Sequence, residues 1–309
     1  MAAIVATGVL ALAMAGGAQA ASPPTVSTGG ASAVSYGSAT LGGWLNPHGS
    51  DTSYYFQYGP TKAFGAQTGI LDAGAGTHGV HVAIAIGGLQ PLTVYHYRLV
   101  AVNASGPTVG ADKAFQTEKV PLSLAILGSP DPVFFQAPLT VQGTLSGTDN
   151  ASTPVVLQAN PFPYTAGFAN VGNPELTSAT GSFSFPLLGL TQTTQFRVVT
   201  TAKKSPVISP VALESVAVRV NAHAGHVGPR GRARIYGTVT PAVDGMRVGI
   251  MRVVHGHNVL SGASVLVHDN AQSSRFSVVQ HAKRGVYRVF VAVTNGSLTS
   301  SFSAPFFVR

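Results

Sequence analysis

The 309-residue chain contains no cysteine, which removes disulfide frameworks, thiolate nucleophiles and sulfur-ligated metal sites together. Charge is nearly as scarce, with Asp, Glu, Lys and Arg making up 9% of the residues. Solvent-facing helices normally carry stripes of Glu and Lys, so a mainly helical protein does not fit. There are ten carboxylates, none in a close pair suited to glycoside cleavage, and no Gly-x-Ser-x-Gly elbow exposes a serine nucleophile. No Arg-Gly-Asp tripeptide occurs, and after residue 20 there is no apolar run of the ~20 residues that a membrane helix needs. What is abundant is Gly (36), Pro (20) and an apolar share of 45%. That composition fits short strands joined by frequent turns, and hence an all-β chain stabilised by burial alone.

At roughly 100 to 150 residues per domain the length calls for two or three domains, and three are expected. Residues 1–20 form an Ala/Val/Leu run closing on Ala18-Gln19-Ala20, the small-x-small pattern cut by signal peptidase. They are read as a signal peptide, although no Lys or Arg precedes the apolar run; an uncleaved anchor or a buried strand are the other readings. The mature protein is therefore expected to be secreted, extracellular or associated with the cell surface, with no transmembrane helix.

The most informative stretch is residues 88–103, Gly-Leu-Gln-Pro-Leu-Thr-Val-Tyr-His-Tyr-Arg-Leu-Val-Ala-Val-Asn. Leu89, Pro91, Thr93 and Tyr95 recur at every second position, and an alternating strand then leads to Ala101-Val102-Asn103. This run resembles the E-to-F corner of fibronectin type III domains, and the likeness extends over about residues 23–118. It implies a domain at 21–119 in which the Tyr95 hydroxyl bonds back to the corner's backbone. It also implies that Trp44, the single tryptophan, fills the centre of the core from strand B; a surface position is the alternative. Side chains alternate along a strand, so Tyr54, Phe56 and Tyr58 point inward, as do Val80, Val82, Ile84 and Ile86, and Tyr97, Leu99 and Ala101. His96, Arg98 and Val100 point outward. Strands C and F are neighbours in that fold, so Tyr55, Gln57, His96 and Arg98 share one outer face, with Lys113 or Phe115 able to join from strand G. The four form a candidate ligand-binding surface, able to stack on a sugar and hydrogen-bond its hydroxyls, or else an ordinary cross-strand ladder.

Beyond Pro121 the corner does not recur, but an internal repeat does. Leu139-Thr-Val-Gln-Gly-Thr-Leu145 parallels Ala233-Arg-Ile-Tyr-Gly-Thr-Val239, Ser182-Phe-Ser184 parallels Arg275-Phe-Ser277, and Phe196-Arg-Val198 parallels Tyr287-Arg-Val289. The offsets are 94, 93 and 91 residues, which argues for two copies of one domain type. Both resemble bacterial immunoglobulin-like modules, at 120–214 and 215–309.

Charge separates the two copies. Residues 216–309 hold eleven Lys/Arg against two Asp/Glu, while the preceding segments are close to neutral. Arg230, Arg232 and Arg234 alternate along a strand, a candidate anion-binding face, since the guanidinium fork suits phosphate, sulfate and carboxylate. A solvated, edge-protecting face is the bland reading. His255-Gly-His257 has the spacing of a two-ligand metal pair but falls where a hairpin turn is expected, so no metal site is assigned. No cofactor is expected; nor is a nucleic-acid partner, because the module has few aromatic stacking platforms, whereas other proteins are possible partners. The reading is a non-catalytic binding or scaffold protein attaching to an anionic or glycan polymer of the cell envelope. The alternative is an accessory region, or a divergent form, of a secreted carbohydrate-active enzyme.

Overall fold

The computed structural model describes residues 22–127, 131–201, 205–226 and 231–309, so the signal segment at 1–20 and Arg230 lie outside the described residues. All regular structure among them is β-strand. By packing, the chain divides into two compact units, Met1–Val120 and Pro121–Arg309.

The first unit contains β1 (Thr25–Ser32), β2 (Ser38–Asn46), β3 (Thr52–Gly59), β4 (Ala66–Gln67), β5 (Leu71–Gly74), β6 (Val80–Gly87), β7 (Val94–Asn103), β8 (Gly106–Val109) and β9 (Lys113–Gln116). One sheet runs β1-β2-β6; the other runs β4-β3-β7-β8, with β5 also on β3 and β9 also on β7. This is the strand arrangement of a fibronectin type III sandwich. The inward rows Ala39/Leu41/Leu45, Tyr54/Phe56 and Tyr97/Leu99/Ala101 meet in one core, as alternation requires. Each large apolar side chain sealed there contributes roughly 1.5 to 3 kcal/mol by leaving water. At the corner the Gln90 N–H donates to the Tyr95 hydroxyl at 3.0 Å, which pins the crossover over the buried ring.

Four side chains lie elsewhere than the sequence pattern predicts. Trp44 is 37% exposed and does not fill the core. The inward row of β2 is Ala39, Leu41, Gly43 and Leu45, so Trp44 falls on the outer side by parity. The space at Gly43 is taken by Leu99 and Phe56 from the facing sheet, and the indole lies across Gly79, where a Cβ would come within 1.7 Å of it. Val80 opens β6 at the sandwich end and stays 40% exposed. Val100 is on the outer side yet buried, flanked in register by Tyr55 of β3 and Val109 of β8. Phe115 packs on the core, its ring stacked with Tyr95 at 5.8 Å, so it does not join the outer face.

The second unit contains the remaining strands: β10 (Ser123–Leu127), β11 (Val133–Phe134), β12 (Leu139–Ser146), β13 (Pro154–Pro161), β14 (Ala169–Leu176), β15 (Ser182–Leu187), β16 (Thr194–Thr200), β17 (Ala212–Glu214), β18 (Val216–Ala217), β19 (Arg219–His226), β20 (Arg232–Thr240), β21 (Arg247–Val254), β22 (His257–Val265), β23 (Val267–Asn270), β24 (Ser273–His281), β25 (Gly285–Ala292), β26 (Ser301–Phe302) and β27 (Phe306–Val308). They form two sheet pairs. The first sets β10-β12-β15 with β14-β13-β16-β17; the second sets β19-β20-β24-β23 with β22-β21-β25-β26, where β27 also pairs with β25. Strand for strand the two pairs correspond, and so do their fine contacts. Gly143 pairs with Phe183 and Gly237 with Phe276; a Cβ at either glycine would press on the ring and on a neighbouring carbonyl oxygen. The Val198 N–H donates to Ser209 Oγ and the Val289 N–H to Ser303 Oγ, each at 2.9 Å.

The two pairs share a single apolar cluster and a common connecting segment. On one side β18 pairs in parallel with β11; on the other, Thr299 donates to the Val216 carbonyl at 2.7 Å and Ala217 bridges to Thr299. The Thr193 N–H reaches the Ser297 carbonyl at 2.7 Å, and Arg219 Nε donates to the Phe135 carbonyl at 2.7 Å. Next to this segment Glu214 is only 5% exposed, with a buried Oε1 that has no hydrogen-bond partner. Burial pushes its carboxyl up to about 7, and the nearby Asp131 carboxylate adds to the rise.

Candidate functional site

The outer face of the β19-β20-β24-β23 sheet carries three exposed arginines of the last module, Arg232, Arg234 and Arg275. Along β20, Ala233, Ile235 and Val239 face the core, so Arg232, Arg234 and Tyr236 face outward. Cross-strand register then fixes their neighbours. His223 of β19 lies opposite Tyr236; on β24, His281 lies opposite Arg232, Ser277 opposite Tyr236, and Arg275 opposite Thr238. The Arg234 Nε donates to Ser277 Oγ at 2.9 Å and its guanidinium carbon is 5.2 Å from the Tyr236 ring centroid, a cation–π distance. The His223 ring centroid lies 5.9 Å from that of Tyr236, the two rings tilted by 41°.

This face is walled. The chain leaves β22 at Val265, buries Leu266 in the core and continues as β23, so Ser264, Val267 and Asp269 rise beside Arg275. Floor and wall enclose a groove of about 560 Å³, within the ~300 to 1,000 Å³ typical of ligand sites. Its one carboxylate, Asp269, accepts from Ser273 Oγ at 2.9 Å and from Asn270 Nδ2 at 3.0 Å through Oδ2. The sequence pattern located Arg232 and Arg234 but not Tyr236, Arg275, His223 or Asp269 as parts of one site. Those four come together through register. The pairing of Gly237 with Phe276, implicit in the repeat, was the signal that places Arg275 beside this strand.

The four outer residues of the first unit are also brought to one face. Gln57 lies opposite Arg98, Tyr55 opposite Val100, and His96 opposite Gly59. Arg98 Nε donates to Gln57 Oε1 at 2.8 Å and its guanidinium covers Phe64 at 4.6 Å, while His96 Nδ1 pairs with Asp112 at 3.1 Å. The same trio recurs in the second unit: Arg197 Nε donates to Gln158 at 2.7 Å and stacks over Phe168 at 4.2 Å.

His255 and Gly256 both take positive φ, 49° and 82°, and form the two-residue turn between β21 and β22. His268 bonds Asp244 at 3.0 Å through Nδ1. Among the described residues no three His, Asp or Glu side chains converge in the manner of a metal site. Asp244 is also the acceptor for the Ser274 hydroxyl, and these two contacts hold its carboxyl below the usual range, Ser274 having the larger effect. A hydrolytic triad places the imidazole between serine and carboxylate. Here the carboxylate lies between them, and the buried Ser274 accepts from the Val243 N–H at 2.8 Å, which makes it a loop clamp.

The fold is thus all-β, of the fibronectin type III and immunoglobulin-like kind. No protein-family model matches the chain and no curated protein matches it. Among solved structures it is similar to chicken CNTN1 FN1–FN3 domains, at 13% identity and a TM-score of 0.33, over 93% of this chain and 98% of that one. It is also similar to a tetra-tandem repeat in the extending region of a large adhesion protein, at 14% identity and a TM-score of 0.27, over 93% of this chain and 74% of that one. At those values neither likeness says anything of activity or partner. Among the described residues no helix is long and apolar enough to cross a membrane.

Proposed function

We propose that this is a secreted, non-catalytic binding and scaffold protein of three modules, 21–119, 120–214 and 215–309. Its last module attaches it to an anionic or glycan polymer of the cell envelope. The observation that carries the reading is the outer face of β20 and β24, where Arg232, Arg234 and Arg275 stand exposed on one sheet, with no carboxylate on either strand. Exposed guanidinium groups that share a face neutralise closely spaced anions while the strands beneath keep them in register. The recurrence of the Gln–Arg–Phe trio supports reading Tyr55, Gln57, His96 and Arg98 as a cross-strand ladder that stiffens the sandwich. Retention of the full chain on isolated cell-wall material tests the attachment. We expect it to be released between 0.1 and 1 M salt, where the Debye length shrinks from about 10 to about 3 Å, and to weaken when Arg232 and Arg234 are replaced by Ser. Retention unchanged by salt and by that double variant defeats the electrostatic reading.

A further inference from the structure

We infer that the groove beside Tyr236 is a saccharide subsite for an acidic polysaccharide whose anionic groups are carried singly on sugar rings. The inference rests on the proposed anionic attachment and goes beyond it, because charge alone requires neither a ring nor a wall.

Three features of the groove select this chemistry. Tyr236 is 40% exposed at the groove floor, and Arg234 at 5.2 Å and His223 at 5.9 Å are its neighbours on the sheet, so the exposed part of the ring offers an apolar surface. A sugar ring stacks its C–H face on such a surface. The cations bracket the ring: Arg234 on the tyrosine's own strand, fixed by Ser277, and Arg275 two residues along β24 from Ser277. One carboxylate or sulfate per sugar fits a fork on either side. Third, the wall carries Asp269 and Ser264, acceptors for sugar hydroxyls. The Asp269 carboxylate also disfavours a ligand with anions at every position, since it would face one of them unpaired. A nucleic-acid strand would need a succession of stacking rings, and the floor offers one.

The test uses the full chain with polygalacturonate, dextran sulfate, neutral dextran and single-stranded DNA as probes, at one fixed salt concentration. Tighter binding to polygalacturonate than to the other three is expected. Tyr236→Ala and Arg275→Ser should each weaken it at least tenfold, whereas Tyr236→Phe, which keeps the ring, should stay within threefold of the parent. Both positions are exposed, and thermal melts of all three variants verify folding. The groove is refuted if Tyr236→Ala binds polygalacturonate as the parent does, or if dextran sulfate or DNA binds more tightly. If Tyr236→Ala is silent while Arg232→Ser and Arg234→Ser weaken every polyanion equally, the attachment survives without the subsite. If no polyanion binds, both readings fall.

Discussion

The two sheet pairs of the second unit carry the same inward row and opposite outward rows. In β12 the inward residues are Leu139, Val141, Gly143 and Leu145; in β20 they are Ala233, Ile235, Gly237 and Val239. Outward, the position of Gln142 in the first copy is held by Tyr236 in the second, and that of Ser182 by Arg275, while Ser184 and Ser277 keep the same residue. Among the described residues a fourth strand, β23, is found only in the second copy's sheet, where it supplies the groove wall. Core packing constrains the inward row in both, so it changes little in kind. The outer row is free of that constraint, and the difference that accumulates there is charge, an aromatic ring and a wall. Contacts that repeat between copies therefore describe the fold, and contacts found in one copy alone are where a ligand should be sought.

The largest effects should come from breaking what the copies share. A Cβ on Gly143 would meet the Ala125 carbonyl oxygen at 2.1 Å, and one on Gly237 the Asn221 oxygen at 1.9 Å, in each case with a phenylalanine ring behind. Gly143→Ala and Gly237→Ala should each destabilise by roughly 3 kcal/mol, since backbone cannot move aside as a flexible side chain does. Urea denaturation measures this. A cost under 1 kcal/mol at one glycine and not the other would end the equivalence of the two inward rows.

A second effect belongs to the segment that joins the copies. Glu214 titrates near 7 in the folded protein against 4.5 in its absence, so between those values the native state holds a proton that the unfolded chain has released. Stability should fall as pH rises through that window, by on the order of 2 kcal/mol. Glu214→Gln should remove the slope, with melting temperatures at pH 5 and pH 8 brought together. An unaltered slope in the variant would place the pH dependence elsewhere.

Much of this was legible in the sequence. Tyr95 and the alternation around it gave the first sandwich, and the spacing of Gly143, Phe183 and Arg197 from their partners gave the repeat. These signals are local or periodic, and burial enforces them. Trp44 was misplaced because the family pattern fixes a residue type near a place, whereas parity fixes which side of the strand it faces. The groove was half legible. Arg232 and Arg234 share a strand, but Arg275 and His223 reach Tyr236 only through register across three strands, and Asp269 only through the crossing from β22 to β23. Glu214 gives no sequence signal at all, since its burial depends on β17 pairing with β16 and on Asp131 lying near it, 83 residues earlier in the chain.

The comparison can also be broken by transplanting the difference. Gln142→Tyr with Ser182→Arg places a ring and a cation on the first copy's face without the β23 wall. Both positions are exposed, so the change in stability should stay within about 0.5 kcal/mol. We expect the doubly substituted chain to be retained on polygalacturonate to a modestly higher salt concentration than the parent, because a second cationic face has been added. If it binds as though a complete second groove had formed, measured as a doubled stoichiometry, then β23 contributes nothing to recognition.

A last effect concerns the contact that recurs across the two units. Arg98→Met and Arg197→Met each remove one side-chain hydrogen bond to glutamine and one guanidinium stacked on phenylalanine. Each keeps its aliphatic stem over the neighbouring strand, so each should cost between about 0.5 and 1 kcal/mol. Neither should alter retention on polygalacturonate or cell-wall material. The equality of the two losses is the informative part, because a ladder that belongs to the sandwich must behave alike wherever it is built. A loss of retention with Arg98→Met alone would mean that the Tyr55, Gln57, His96 and Arg98 face contacts ligand after all, and that repetition of a contact does not guarantee a purely structural role.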